Sequence, residues 1–205
     1  MVPALVVACG FLIGTFPTAR LVARRSGRDV TAEGSGNPGA TNVYRIAGLG
    51  PGLVVFAGDV VKGALPAAAG LLVGGHRLAL AAGAAAVVGH CFPPQRRLRG
   101  GRGVATSVGL VAVVDPPVVA ITAVLWFLVV RLSRRASPAS LASALAAPVL
   151  AAALGRDATE VAGFALVAAL VLVRHASNLG RLARGREGLL GPGRPGTWFE
   201  IEPGP

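Results

Sequence analysis

The chain has 205 residues, of which 53% are hydrophobic and only 14% charged, with a mean hydropathy of +0.65. A soluble domain carries roughly a quarter charged residues, so this composition excludes an ordinary water-soluble fold. The net charge of +11 would suggest nucleic acid in a soluble protein, but in so apolar a chain it reads as basic loops that orient a membrane protein and touch anionic lipid, and no nucleic-acid partner is expected.

Seven apolar segments, at 2–22, 52–74, 78–92, 104–114, 117–132, 139–155 and 159–174, predict an all-α integral membrane protein of about seven transmembrane helices. A spanning helix needs about 20 residues, so the third and fourth segments are short. The first, which holds Cys9, has no basic leader and is expected to stay as a helix rather than act as a cleaved signal.

The loop after it carries Arg24, Arg25 and Arg28, then GSGNPGATN at 34–42, then Arg45. Gly34, Gly36 and Gly39 let the backbone turn tightly, and successive N–H groups in such turns form anion-binding nests. Ser35, Asn37, Thr41 and Asn42 bring polar side chains, and Arg45 can grip a phosphate with two N–H donors. A glycine-rich turn capping the next helix would look similar over GSGNPG alone; the whole string through Arg45 favours an anion site.

In the second segment Asp59 and Lys62 lie three apart on one helical face. Lys62 is the single lysine among 20 basic residues, a hint that an ammonium is wanted there. A structural ion pair and a substrate contact are both open. His90 and Cys91 end the third segment, where no base or oxyanion hole marks the cysteine as a nucleophile.

The third loop brings Arg96 and Arg97, then Arg99-Gly100-Gly101-Arg102-Gly103 before a helix opening at Val104, and a helix N-terminus flanked by arginines is a ready anion site. Arg131, Arg134 and Arg135 follow the fifth segment, and Ser140 opens the sixth. After the seventh comes RHASNLGRLARGRE at 174–187. His175 and Asn178 share one face there, with Arg174, Asn178 and Arg181 as a second stripe. The string suits either an amphipathic surface helix or a site that binds a hydroxyl. Residues 1–187 are expected to form the membrane domain, with 188–205 a Gly/Pro-rich disordered tail.

Between the basic loops stand Arg77, the uncharged-by-arginine turn at Asp115-Pro116-Pro117, and Arg156. The positive-inside rule therefore predicts an N-terminus outside and a C-terminus in the cytoplasm. All three motif strings then fall on the cytoplasmic face. A one-sided site suggests an enzyme meeting a cytosolic substrate and a lipid, whereas a transporter would place polar groups at the midplane between repeated halves. A transporter of a phosphate ester or lipid, and a non-catalytic lipid-binding protein, are the alternatives. No carboxylate cluster points to a metal, and no cofactor is expected.

Taken together the strings resemble the bacterial acyl-phosphate:glycerol-3-phosphate acyltransferase family, over about residues 10–187. GSGNPGATNVYRIAG is similar to its first loop motif and Asp59-x-x-Lys62-Gly63-x-x-Pro66 to its second. GHCFP…RGGRGVAT resembles the third, RHASNLGRL…GRE the C-terminal block, and Ser140-Leu141-Ala142-Ser143 a further segment. Arg99 and Arg102 stand where the family usually has lysines, and Leu98 where it has phenylalanine.

The resemblance implies a cell-inner-membrane enzyme that moves an acyl group from acyl phosphate to glycerol 3-phosphate without an acyl-enzyme, acyl phosphate being already activated. Ser35, Gly36, Asn37, Gly39, Thr41 and Asn42 would cradle the acyl-phosphate headgroup, and Arg45 and Arg102 would grip phosphate. Lys62, Arg99, Gly101 and Ser140 would assist binding. His175 and Asn178 would orient the attacking hydroxyl, its proton going to His175 or to the phosphate itself.

Overall fold

A computed structural model describes residues 1–191, and the regular elements among them are all helical. In chain order they are α1 (Val2–Gly14), α2 (Thr18–Arg25), α3 (Ala40–Ala47), α4 (Leu49–Cys91), α5 (Val104–Val114), α6 (Pro116–Ser133), α7 (Ala136–Ala153), α8 (Ala158–Arg174) and α9 (Ala176–Ala183). The seven expected segments fall on these helices, the first on both α1 and α2 and the second and third together on α4. Four stretches, Val2–Arg25, Leu49–Arg96, Pro116–Ser133 and Ala136–Ala153, are long and apolar enough to cross a bilayer, and the pair α8–α9, bent by 58°, makes a fifth. Leu72, Phe127, Leu132 and Leu166 stand exposed on the outside of the bundle, as lipid-facing side chains do.

The first expected span, 2–22, is two helices. Pro17 has no N–H to continue the ladder, and the carbonyls freed by the break are taken by side chains from elsewhere. Thr15 O accepts from Gln95 Nε2 at 2.9 Å and Arg96 at 3.0 Å, and Phe16 O accepts from Lys62 Nζ at 3.0 Å. Two cations at a helix C-terminus also suit its dipole.

The second and third expected spans are the two arms of α4, which turns at Gly74 and Gly75, the latter at φ +74°. The arms fold back on each other, so that the Leu78 carbonyl lies 2.6 Å from where a Cβ of Gly70 would sit. Small residues allow such approaches, and in lipid it is close backbone packing that drives helix association. The α5–α6 turn is held by Asp115, which accepts from Arg156 at 2.7 and 3.0 Å and caps α6 at Val118 N.

A main core joins the second arm of α4 to α5 and α8 through Val87, Leu110, Val111, Phe164 and Val167. A smaller one, of Ala19, Ala23, Val43, Ile46 and Val55, seats α2 and α3 on the start of α4. That second core fixes the loop 26–39 at the arginine-rich end of the bundle, where the α4–α5 loop and the α8–α9 bend also lie. The expected tail, 188–205, falls mainly outside the described residues.

Candidate functional site

Loop 26–39 is stapled by one buried amide. Asn42, 1% exposed, accepts from Ser35 N at 2.8 Å and donates to Val30 O and Glu33 O, each at 3.0 Å. Gly34 sits against it at φ +60°, where a Cβ would collide with Asn42 Oδ1, so only glycine suits the position. Asn42 thus acts on the loop, while its neighbour Ser35 keeps a buried Oγ without a protein partner. Gly36, Asn37, Gly39 and Thr41 are half-buried around it, Gly39 capping α3.

The α4–α5 loop is held from below. Gly100 N donates to Cys91 O and Gly101 N to His90 O, both at 3.1 Å. Arg102, next along, makes no hydrogen bond to another group among the described residues. The backbone N–H groups of Arg102, Gly103 and Val104 take no backbone acceptor there either, which leaves the start of α5 with free donors. Arg99 points away and is exposed.

The third contribution comes from the α8–α9 bend. His175 is buried, and its Nδ1 lies 2.8 Å from Val171 O, so Nδ1 carries the proton and Nε2 keeps its lone pair. Asn178, 1% exposed, donates to Glu187 Oε1 at 2.6 Å and leaves its Oδ1 buried without a partner. Glu187 also accepts from Ser137 Oγ and Arg181 Nε, each at 2.7 Å. Just beyond it, Arg45 donates to Gly188 O and Leu189 O at 3.1–3.3 Å, which ties the first loop's helix to the end of the described chain.

Electrostatics bring these pieces into one place. Burial draws the Arg102 guanidinium down to about 10; Arg181 adds to this, Glu187 opposes it, and Arg45 and Arg174 add further. Burial likewise lowers Arg45, opposed by Glu187 and aided by Arg181. Both stay cationic at neutral pH. Among the described residues, four arginines therefore crowd a half-buried space with one carboxylate, that of Glu187. Such a concentration of like charge demands an anion, and the free amides of α5 and the unpartnered Ser35 Oγ and Asn178 Oδ1 suit an oxygen-rich one.

Besides Arg99, two expected site residues lie apart from this cluster. Lys62 is 5% exposed inside the bundle, ion-paired to Asp59 at 2.6 Å, hydrogen-bonded to Phe16 O and 3.3 Å from His90 Nδ1. Ser140 accepts from Trp126 Nε1 at 3.2 Å and lines an apolar cleft with Val104, Val111, Thr122, Ala147 and Phe164. On α5, α7 and α8 alike the cleft runs over eight residues, from Val104, Ser140 and Val171 to Val111, Ala147 and Phe164, a length of about 10 Å. Its Val104 end is two residues along the chain from Arg102. Residues that sequence reasoning passed over as site members are Glu187, Arg181 and Arg174; the only signal was their place in the string RHASNLGRLARGRE.

Comparison with known proteins follows the same lines. A family model described as glycerol-3-phosphate acyltransferase matches residues 4–185. A glycerol-3-phosphate acyltransferase from Desulforudis audaxviator is 41% identical over 185 residues, 89% of this chain and 93% of its own. One from Thermus thermophilus is 43% identical over 188 residues, 88% of this chain and 92% of its own. Crystal structures of PlsY (YgiH), an integral membrane glycerol 3-phosphate acyltransferase, align with TM-scores of 0.90 for the glycerol 3-phosphate form and 0.88 for the lysophosphatidic acid form. Both are 32% identical and cover 93% of this chain and 96% of theirs.

Proposed function

Given that the chain belongs to the glycerol-3-phosphate acyltransferase family of integral membrane proteins, we propose that its acyl donor is an acyl phosphate, its acceptor the 1-hydroxyl of glycerol 3-phosphate, and its products lysophosphatidic acid and inorganic phosphate. The observation that carries the reading is the arginine cluster of Arg45, Arg102, Arg174 and Arg181 around one carboxylate, near the Val104 end of an apolar cleft. Charge at that end suits phosphate, and the cleft suits an acyl tail.

The chemistry asks little of the protein beyond placement. The hydroxyl oxygen attacks the acyl carbon, a C–O ester bond forms, and the acyl C–O bond to phosphate breaks with the electron pair leaving on phosphate. Arg102 and the free amides at the start of α5 neutralise charge on the departing phosphate, and Ser35 Oγ donates to it. Asn178 Oδ1 accepts from the attacking hydroxyl and orients it. His175 Nε2 is the proton acceptor on the protein side, and the departing phosphate is the other acceptor within the reaction. Holding both reactants in such geometry accounts for about 7 kcal/mol or more of barrier lowering without a covalent intermediate. Cys91 is fully buried behind Gly103 and takes no part.

The distribution of arginines supports a site at the cytoplasmic face of the cell membrane, with glycerol 3-phosphate drawn from the cytosol and lipid product released sideways. Asn42 we assign to holding the first loop, and Lys62 to the interior of the bundle.

The test is to mix purified protein with palmitoyl phosphate and glycerol 3-phosphate and to follow both phosphate and lysophosphatidic acid. Stoichiometric release of the two supports the reading. Folded protein that forms no lysophosphatidic acid sinks it, and uptake of either substrate into sealed vesicles without ester formation would favour transport instead.

A further inference from the structure

The loop that carries Arg102 is under two stresses in the folded chain. It has glycines at 100, 101 and 103, and glycine loses the most conformational freedom on being ordered. Arg102 also faces the like charges of Arg181, Arg45 and Arg174. With no anion bound, this repulsion would swing a free loop out toward water. Something holds it, and Arg174 is in place to do so.

Arg174 donates from Nε to Gly101 O at 3.1 Å and from a terminal nitrogen to Gly100 O at 2.8 Å, while its guanidinium carbon sits 5.2 Å from the centroid of the Phe92 ring. One planar fork thus takes two successive carbonyls, as only arginine does with fixed geometry. The matching N–H groups of Gly100 and Gly101 are already bonded to Cys91 O and His90 O. Beneath, His90 lies so close that a Cβ at Gly101 would collide with its Nε2. All four polar groups of the Gly100–Gly101 dipeptide are therefore turned inward. Two carbonyl oxygens that would otherwise repel a phosphate are kept from it, and the amides that remain free are those of Arg102, Gly103 and Val104.

We propose that Arg174 is a positioning residue that presets the 100–104 segment for phosphate and, being the residue before His175, fixes that segment's distance from His175 and Asn178. The proposal rests on the reading of this segment as a phosphate site. Arg174 Nε and one of its terminal nitrogens are taken by the two carbonyls, so Arg174 acts through the loop.

The experiment is steady-state kinetics of Arg174→Gln and Arg174→Lys, each also placed in an Arg102→Ala background, with KM measured for both palmitoyl phosphate and glycerol 3-phosphate. Misplacing a phosphate site by about 1 Å lowers kcat/KM by about 100-fold. The expected result is a loss of that size in Arg174→Gln, carried by a raised KM for at least one substrate, with a part recovered in Arg174→Lys. In the Arg102→Ala background the same substitution adds less than about threefold, because its main target is already gone. Equal losses in the two backgrounds, or no recovery in Arg174→Lys, would overturn the proposal. Should Arg174→Gln fail to fold, Arg174→Lys carries the same comparison. If the unsubstituted protein makes no lysophosphatidic acid, the proposed function fails; if it does and the losses are additive, only the role of Arg174 does.

Discussion

Glu187 offers the sharpest quantitative test of the arrangement. Its carboxylate, on a residue 7% exposed, receives Ser137 Oγ, Asn178 Nδ2 and Arg181 Nε at 2.6–2.7 Å, and its own carbonyl accepts from Arg135 Nε at 2.9 Å. In Glu187→Ala three donors lose their acceptor at once. A buried donor left unsatisfied costs about 1–3 kcal/mol, and losing one partner of a buried ion pair about 3–5 kcal/mol. The contributions overlap, and Arg181 is a quarter exposed and part-screened, so the sum is about 3–5 kcal/mol. Glu187→Gln keeps an acceptor for Ser137 and Asn178 but turns an amide donor toward Arg181, at about 1.5–3 kcal/mol. For a chain of this length one kcal/mol moves the melting temperature by about 2–4 °C. The alanine variant should therefore melt about 6–20 °C below the parent, and the glutamine variant about half as far. A thiol-reactive dye reads this well in a Cys9→Ser background, because Cys91 is fully buried and reacts only when the bundle opens. An alanine variant that melts within about 2 °C of the parent, within the scatter of such a scan, would refute the idea that the carboxylate organises the α8–α9 bend.

Three further outcomes follow from the same geometry. Burial raises the Glu187 pKa, but the hydrogen bonds from Ser137, Asn178 and Arg181 outweigh it and hold the carboxyl below 4.5. A depressed folded value contributes stability above the unfolded pKa and loses it as pH falls through the folded one. The parent's melting temperature should therefore drop below about pH 4.5 while that of Glu187→Gln stays flatter; parallel curves would contradict this. His175→Gln should lower kcat by about 10²–10⁴-fold if Nε2 accepts the proton, and retention of more than a tenth of the rate would assign that proton to the departing phosphate. Ala147→Phe, which puts a ring at the deep end of the cleft, should raise KM for palmitoyl phosphate more than for an acyl phosphate with a much shorter chain; equal effects on both would argue against the cleft as the seat of the tail.

Much of the architecture was legible because apolar length is a strong signal. All seven segments lie on helices, and the first loop, the α4–α5 loop and the α8–α9 bend gather at one end as arginine counting implied. Boundaries were less so. Pro17 ends α1 inside the first segment because Lys62, Gln95 and Arg96, remote in sequence, take the freed carbonyls. The small amphipathic helices α2, α3 and α9 have eight residues each, too short to show a clear period.

The site was legible by residue type and less so by role. Ser35, Arg45, Arg102, His175 and Asn178 were each picked out from their strings. Asn42 looks in sequence like another donor to a ligand, and only the folded loop shows its three bonds inside it. Arg99 and Arg102 are indistinguishable by composition, yet one is exposed and the other sits among Arg45, Arg174 and Arg181. Glu187 entered only as the end of its string and Arg181 only in the stripe with Arg174 and Asn178, so nothing local set apart the charges that fold back from those that stay exposed.

The Asp59–Lys62 pair has a bearing on how the chain reaches the membrane. The two residues are three apart on one arm of α4, so the ion pair closes within a single turn and needs no other helix. That arm can leave the insertion machinery as a neutral rod, with the bare-charge penalty of its centre already reduced. His90 on the second arm and the Phe16 carbonyl just beyond α1 take the remaining contacts of the ammonium. A three-residue spacing thus neutralises the charge within one helix and leaves the surviving donors of the ammonium to engage its partners.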